Sequence, residues 1–263
     1  MGRIISIHSF RGGTGKSNIT ANLAVWVAQE GHRVGIVDTD IQSPGIHVLF
    51  DLDVDKIKHP LNDYLWGKCS IEEAAVDLSP SVLVQKETRT AEPGALYLIP
   101  SSNKTGEITR ILREGYDVGT LNEGFRDLIS GLKLDFLFID THPGLNEETL
   151  LSIAISDILI LILRPDKQDF QGTAVTVEVA RKLQVPNLLL VVNKVLPDFD
   201  FEDVKHQVES TYQAPVAGLL PLSLEMVRLA SGGIFSLMNP GHPISKEIAK
   251  IGASIIGGKP DKS

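Results

Sequence analysis

A glycine-rich segment near the start of the chain carries residues well suited to chemistry. Residues 9–18 read SFRGGTGKSN, with the cations Arg11 and Lys16 set among glycines. Glycines let backbone N–H groups approach a ligand closely, and a lysine followed by a hydroxyl residue suits phosphate and Mg²⁺. We therefore predict a phosphate-binding loop in which Lys16 reaches the β- and γ-phosphates and Ser17 ligates Mg²⁺. The alternative is a glycine-rich turn that binds nothing, since the standard pattern has a glycine where this chain has Phe10.

The elements on either side of this segment favour the phosphate loop. Residues 4–8 are short, β-branched and apolar, which predicts a strand, and residues 17–29 have apolar side chains at helical spacing. A phosphate loop requires a strand before it and a helix after it, because the helix N-terminus adds its dipole to the anion site. The local context therefore fits phosphate binding.

Apolar runs alternate with helical segments along the rest of the chain, and each run is nearly continuous. Such runs are typical of strands that are buried on both faces of a parallel sheet. Strands are predicted at 4–8, 34–38, 96–99, 136–140, 158–163 and 188–193, and helices at 17–29, 119–132, 171–183 and 201–211. The order predicts an α/β fold: a doubly wound, mostly parallel sheet flanked by helices on both faces.

The domain organisation is predicted to be simple. We expect one domain over residues 1–258 and a frayed tail at 259–263, with a polar surface loop at 85–95. Near the C-terminus, Ile244, Ile248, Ile251 and Ile255 form one apolar stripe with few basic neighbours. We expect this stripe to pack onto the sheet as a final core helix, the alternative being an amphipathic membrane anchor.

Composition limits the classes of function. The net charge of −8 and the pI near 5.4 argue against a strongly nucleic-acid-binding surface. A single cysteine, Cys69, allows no disulfide framework within one chain and no CxxC metal motif. With no visible signal peptide, these features lead us to expect a cytoplasmic protein.

Carboxylates follow two of the predicted strands. Asp38 and Asp40 end the apolar run that begins at residue 34, and Asp140 ends the run that begins at residue 136. Ligands of open parallel sheets bind at the carboxyl ends of the strands, so these aspartates are expected near the phosphate loop. The alternative for Asp38 and Asp40 is that they merely begin a turn.

The glycine-rich segment resembles the deviant Walker A loop of the ParA/MinD ATPases, in the SIMIBI class of P-loop NTPases, usually written KGGxGK[ST]. In that family a signature lysine precedes the two glycines and crosses an ATP-sandwiched dimer to the partner's phosphates. Arg11 occupies this position here. The resemblance implies that Arg11 acts on the partner's nucleotide, as an arginine finger does. The alternatives are that Arg11 acts within its own subunit or faces solvent.

The carboxylate segments resemble the other motifs of this family. Residues 34–45 resemble switch I, which implies that Asp40 positions the attacking water and that Asp38 lies near the Mg²⁺ shell. Residues 135–140 resemble Walker B, which implies that Asp140 holds Mg²⁺ through a water. Residues 141–144 resemble switch II, which implies that the N–H of Gly144 reaches the γ-phosphate. For His142 within this segment, a catalytic role, a solvent-facing position and a dimer contact all stay open.

The resemblance also implies a base site. An asparagine after the strand at 188–193 reads the adenine edge in this family, which points to Asn193, and a proline near Pro221 packs beside the base. Asn193 capping its strand is the alternative. The resemblance thus implies the catalytic residues Lys16, Asp40 and Arg11, the metal-site residues Ser17, Asp38 and Asp140, and a nucleotide-binding set of Arg11, Gly12, Gly13, Thr14, Gly15, Lys16, Ser17, Asn18, Gly144, Asn193 and Pro221.

The function implied is that of an ATPase switch that uses ATP and Mg²⁺. It would dimerise with a second copy on binding ATP, hydrolyse slowly unless a protein activator or cargo adaptor stimulates it, and position a cellular structure. Non-specific DNA binding is not favoured, and peripheral membrane contact is not expected. The alternative is a metabolic enzyme of the same fold that resembles the ATP-dependent ligase dethiobiotin synthetase.

Overall fold

The computed structural model describes residues 2–83 and 94–257, and its strands form one mixed sheet. The strand order across the sheet is β3-β4-β2-β5-β1-β6-β7-β8. Neighbours are parallel except for β3 and β4, so the predicted mostly parallel sheet is confirmed. The strands are β1 (Arg3–His8), β2 (Arg33–Asp38), β3 (Val76–Asp77), β4 (Ala95–Ile99), β5 (Phe136–Asp140), β6 (Ile158–Leu163), β7 (Asn187–Val195) and β8 (Val216–Pro221).

Helices connect the strands and cover the sheet. They are α1 (Lys16–Gln29), α2 (Leu61–Leu65), α3 (Ser79–Val82), α4 (Thr105–Glu114), α5 (Val118–Gly131), α6 (Glu147–Ala154), α7 (Lys167–Lys182), α8 (Phe201–Tyr212), α9 (Leu224–Leu229), α10 (Phe235–Met238) and α11 (Pro243–Gly257). Short 3₁₀ turns lie at Ile46–Phe50 and Val54–Lys56.

Both faces of the sheet are buried, which explains the continuous apolar runs. In β5, Phe136 and Phe138 belong to the cluster under α1 and α11. The alternate residues Leu137 and Ile139 belong to the cluster under α5. Successive side chains of a strand point to opposite faces, so a strand with helices on both sides needs apolar residues throughout. The doubly wound arrangement is confirmed.

Helix α11 packs into the core. Its stripe of Ile244, Ile248, Ile251 and Ile255 is buried, each at most 2% exposed. The helix lies close against α1, since a Cβ added at Gly252 would stand 2.2 Å from the Trp26 ring. The expected final core helix is therefore confirmed. Within residues 2–83 and 94–257, every helix falls short of the length and apolar character that a membrane crossing requires.

The predicted boundaries differ from the structure at several elements. Helix α7 begins at Lys167 instead of residue 171, because the Asp166 carboxylate caps it by accepting the N–H groups of Gln168 and Asp169. Strand β8 was not predicted, since its sequence VAGLLP is short and contains glycine. Strand β3 and the helices α2, α3, α4, α6, α9 and α10 were also missed.

Two predicted segments lie largely outside the described residues. Of the loop expected at 85–95, Gly94 and Ala95 are described, and Ala95 already belongs to β4. The tail expected at 259–263 is outside the described ranges.

Candidate functional site

The glycine-rich segment joins β1 to α1 at the carboxyl edge of the sheet. Gly13 and Gly15 have φ angles of 77° and 92°, a left-handed conformation that favours glycine. Gly15 is restricted a second time, because an added Cβ would stand 2.5 Å from the Asn193 side-chain nitrogen. The backbone conformation therefore favours glycine at both positions, and at Gly15 the close approach of Asn193 also excludes a side chain.

The segment surrounds a cavity of about 210 Å³, here called the phosphate cavity. No hydrogen bond within residues 2–83 and 94–257 takes up the backbone N–H groups of Thr14 and Gly15. These donors, with the adjacent N-terminus of α1, suit an anion. The cavity is lined by Ser9, Gly12, Gly13, Thr14, Gly15, Lys16, Ser17, Asn18, Asp40 and Pro143.

Lys16 forms a buried ion pair at this cavity. Its Nζ lies 2.8 Å from Oδ1 of Asp140, and the two side chains are 7% and 1% exposed. The Thr20 hydroxyl donates to the same oxygen over 3.2 Å. The second carboxylate oxygen, Oδ2 of Asp140, is buried without a hydrogen-bond partner among the described residues. The sequence placed Lys16 and Asp140 in one site, and the structure joins them directly.

The residues at the cavity fit Mg²⁺ bound together with phosphates. The unpartnered Asp140 Oδ2 offers a buried acceptor to a metal-bound water, and Ser17 lines the same cavity. No cluster of three or more His, Cys, Asp or Glu residues in the described ranges could hold a metal by itself. Mg²⁺ characteristically binds through one or two protein oxygens, waters and substrate phosphates, so this donor set suits it.

Asp38 and Asp40 have different surroundings. Asp38 is fully buried and accepts the N–H groups of Asp40 (3.1 Å) and Gly45 (3.3 Å), which shapes the loop after β2. Burial raises the pKa of Asp38 well above its usual value, and the neighbouring Asp140 raises it further. Asp40 lines the phosphate cavity, and burial raises its pKa while the charge of Lys16 opposes that shift.

Residues 141–144 lie beside the phosphate cavity, and Pro143 lines it. His142 is one quarter exposed, and its Nε2 lies 3.8 Å from Oδ1 of Asp40, so it belongs to the site. Gly144 has a φ of 88°, and its N–H donates to the Ser9 carbonyl over 3.2 Å. The N–H that was predicted to reach the γ-phosphate is therefore bonded to the phosphate loop in this structure.

Sequence reasoning missed His8, which lies buried at the end of β1. Its Nδ1 is 2.8 Å from the Thr141 hydroxyl, and that hydroxyl donates to the Ile7 carbonyl. Nδ1 must therefore carry the proton and donate to Thr141. Burial, with smaller contributions from the charges of Lys16 and His142, lowers the pKa of His8 to about 3. The available signal was a polar ring at the end of an apolar run.

A second cavity of about 230 Å³ adjoins the first and shares Gly15 and Asn18 with it. We call it the base cavity. Pro221 and Asn193, the two residues that the resemblance implies for a base site, line it together with apolar side chains of β8, α9 and α11. The Asn193 amide donates to the Thr14 carbonyl over 2.7 Å, and its oxygen accepts the N–H of Lys194.

The side chains of Phe10 and Arg11 contact α7 and do not line the phosphate cavity. A Cβ added at Gly172 would stand 2.0 Å from the Phe10 ring, so the ring rests on this glycine. The exposed Arg11 side chain donates to the Gln168 side-chain oxygen. Arg11 is absent from the residues that line the phosphate cavity, whereas the rest of the loop from Gly12 to Asn18 lines it.

Comparison with known proteins agrees with this geometry. The CobQ/CobB/MinD/ParA nucleotide binding domain matches residues 5–236. An uncharacterised ATP-binding protein of Methanocaldococcus jannaschii is 28% identical over 97% of this chain and 88% of its own length. The septum site-determining protein MinD of Bacillus subtilis is 25% identical over 98% of this chain and 90% of its own.

A solved structure supports the fold. The septum site-determining protein MinD of Pyrococcus horikoshii, complexed with Mg-ADP, superposes with a TM-score of 0.78 at 22% identity, covering 98% of this chain and 97% of that one. These relatives give no support to the ligase alternative. On the extent of the domain match, the chain belongs to the CobQ/CobB/MinD/ParA family of nucleotide-binding domains.

Proposed function

We propose that this protein is a ParA/MinD-type ATPase that works as a dimerising switch. The observation that carries the proposal is the pair of adjoining cavities. One offers unpaired backbone N–H groups and Lys16, and the other is largely apolar and meets it at Gly15 and Asn18. A nucleoside triphosphate has this same division into an anionic end and a planar base.

The residues of the phosphate cavity receive the following roles in this proposal. Lys16 exchanges Asp140 for the β- and γ-phosphates when the nucleotide binds, and Asp40 positions the attacking water. The Ser17 hydroxyl, and Asp140 and Asp38 through water, would hold Mg²⁺, which would neutralise phosphate charge. The N–H of Gly144 leaves the Ser9 carbonyl for the γ-phosphate, which couples residues 141–144 to the state of the nucleotide.

Arg11 is assigned to the nucleotide of a second copy. The supporting observations are that Arg11 is exposed and does not line its own cavity, while the neighbouring loop residues do. A guanidinium delivered by a partner stabilises phosphate charge at the moment of transfer. ATP therefore closes two subunits face to face, and hydrolysis separates them.

Hydrolysis is slow without a partner in this proposal. The Lys16 ammonium group is paired with Asp140, and the N–H of Gly144 is bonded to the Ser9 carbonyl. Lys16 and Gly144 must therefore give up these partners before they can contact the phosphates. A protein activator or cargo adaptor would favour the assembled arrangement. The Bacillus subtilis relative is named for determining the septum site, and we propose a comparable positioning task in the cytoplasm.

The test is mass in solution by light scattering, with Mg-ATP and with Mg-ADP. Asp40→Ala should double in mass with Mg-ATP, and Asp40→Ala/Arg11→Ala should stay monomeric. The matched control adds Arg113→Ala to Asp40→Ala, because Arg113 is an exposed arginine at the end of α4. A mass that ignores the nucleotide in every variant contradicts the switch. A dimer that survives the loss of Arg11 contradicts its role in the partner's site.

A further inference from the structure

The end of β7 touches the phosphate loop at two successive carbonyl groups. The Asn193 side-chain nitrogen donates to the Thr14 carbonyl over 2.7 Å. The Nζ of Lys194 donates to the Gly13 carbonyl over 2.8 Å. Neighbouring residues of one strand would ordinarily point to opposite faces of the sheet, so this convergence needs a local distortion.

A bulge in β7 supplies that distortion. The register between β7 and β8 shifts between Asn193 and Val195, which leaves Lys194 as the extra residue. Lys194 has a φ of 59°, in the left-handed region that non-glycine residues adopt at a cost. Bulges next to active sites re-aim side chains, and this one turns Lys194 toward the loop.

We infer that Lys194 is a positioning residue for the phosphate loop. In a trans peptide the C=O and the following N–H point in opposite directions. Anchoring the Gly13 and Thr14 carbonyls on β7 therefore aims the N–H groups of Thr14 and Gly15 the other way. Those are the unpaired donors of the phosphate cavity. We call the hydrogen bond from Lys194 to the Gly13 carbonyl the brace. The brace preorganises the N–H groups of Thr14 and Gly15 for phosphate oxygens, so the inference rests on the proposed nucleotide binding.

The chain offers a closely matched control. Lys133 is also exposed and left-handed, with a φ of 52°, but it lies before β5 at the opposite edge of the sheet. Replacing either lysine by methionine keeps the stem of the side chain and the backbone strain while removing the ammonium group. Lys194→Met deletes the brace, and Lys133→Met tests every effect of the substitution except the brace.

The primary measurement is the ¹⁵N order parameter of the Gly13, Thr14 and Gly15 amides in the nucleotide-free full chain. Lys194→Met should lower these values from about 0.85, typical of rigid backbone, toward 0.6. It should also weaken Mg-ADP binding, by calorimetry, about tenfold, since the loop would then have to be ordered when the ligand binds. Lys194→Arg should restore both values, and Lys133→Met should change neither.

The outcomes separate this inference from the proposed function. Unchanged order parameters in nucleotide-free Lys194→Met overturn the brace even if Mg-ADP affinity falls, because a lysine that only contacts phosphate leaves the empty loop unaltered. Failure of the wild-type chain to bind Mg-ADP contradicts the proposed function, while the order parameters still test the brace.

Discussion

Lys16 and Asp140 form an ion pair that is buried from solvent, with Nζ 2.8 Å from Oδ1. The pair joins the first residue of α1 to the last residue of β5 across the carboxyl edge of the sheet. Asp140 keeps one oxygen without a partner among the described residues. The pair thus holds a cation and a carboxylate where the proposed nucleotide and its metal would need them, so a change at either residue should affect both ligand binding and stability.

Lys16→Ala should abolish nucleotide binding and also destabilise the fold. The buried Asp140 carboxylate loses its partner, which costs about 3–5 kcal/mol in the free energy of unfolding. Calorimetry with Mg-ADP and urea unfolding measure the two effects. Lys16→Ala/Asp140→Ala should recover most of the stability, since no unpaired charge stays buried, and still fail to bind. Near wild-type Mg-ADP affinity in either variant contradicts the assignment of the loop.

Asp40→Ala should keep ATP binding and lose hydrolysis, because the water would no longer be positioned. Loss of a general base or water-positioning group typically slows turnover at least about 100-fold. Phosphate release measures hydrolysis, and a fluorescent ATP analogue measures binding. Asp127→Ala, on the exposed side of α5, is the control carboxylate and should hydrolyse ATP normally. Wild-type turnover in Asp40→Ala would show that another group positions the water.

Gly172→Ala should have opposite effects in two backgrounds. In the wild type the new methyl would stand 2.0 Å from the Phe10 ring, an overlap that costs about 1–3 kcal/mol. In Phe10→Ala that overlap is gone, and alanine in α7 should stabilise by up to about 1 kcal/mol over glycine. Urea unfolding of the wild type, Gly172→Ala, Phe10→Ala and the double variant gives the coupling free energy between the two positions. Equal destabilisation in both backgrounds contradicts the contact between Phe10 and Gly172.

The free energy of unfolding should fall as the pH decreases, because His8 is protonated more readily in the unfolded chain than in the folded one. The folded chain takes up this proton only near its lowered pKa of about 3, whereas the unfolded chain takes it up near 6.5. Below about pH 6.5 the unfolded state therefore binds more protons, and stability is lost progressively until the pH falls to about 3. Between pH 8 and pH 5 this amounts to roughly 2 kcal/mol.

His8→Asn provides the control for this effect. Its side-chain nitrogen can donate to Thr141 as Nδ1 does, but it does not titrate. Urea unfolding at pH 8 and pH 5 should show a smaller loss of stability in His8→Asn, by roughly 2 kcal/mol. Lys16 and His142 face His8 in both proteins, so their contributions cancel to first order. Equal losses in the two proteins contradict a neutral buried His8.

Much of the fold could be predicted because local rules encode it. The strands at 136–140 and 158–163 were predicted with the bounds that the structure shows, since strands buried on both faces are apolar throughout. Short elements such as β3 and α9 were missed, because a few residues carry little periodicity and their conformation depends on what they pack against. The start of α7 was missed because its cap, Asp166, lies before the apolar pattern.

By itself, the sequence determined the class of fold and the residue types of the glycine-rich loop. The glycines, Lys16 and Ser17 can be read locally, since phosphate binding between a strand and a helix demands those residue types in that order. Tertiary structure alone decided their partners. Lys16 meets Asp140 across 124 residues of chain, and Asn193 meets Thr14 across 179. These contacts depend on the strand order β5-β1-β6-β7, and the contact of Lys194 with Gly13 depends on the bulge in β7; no local propensity specifies either of them.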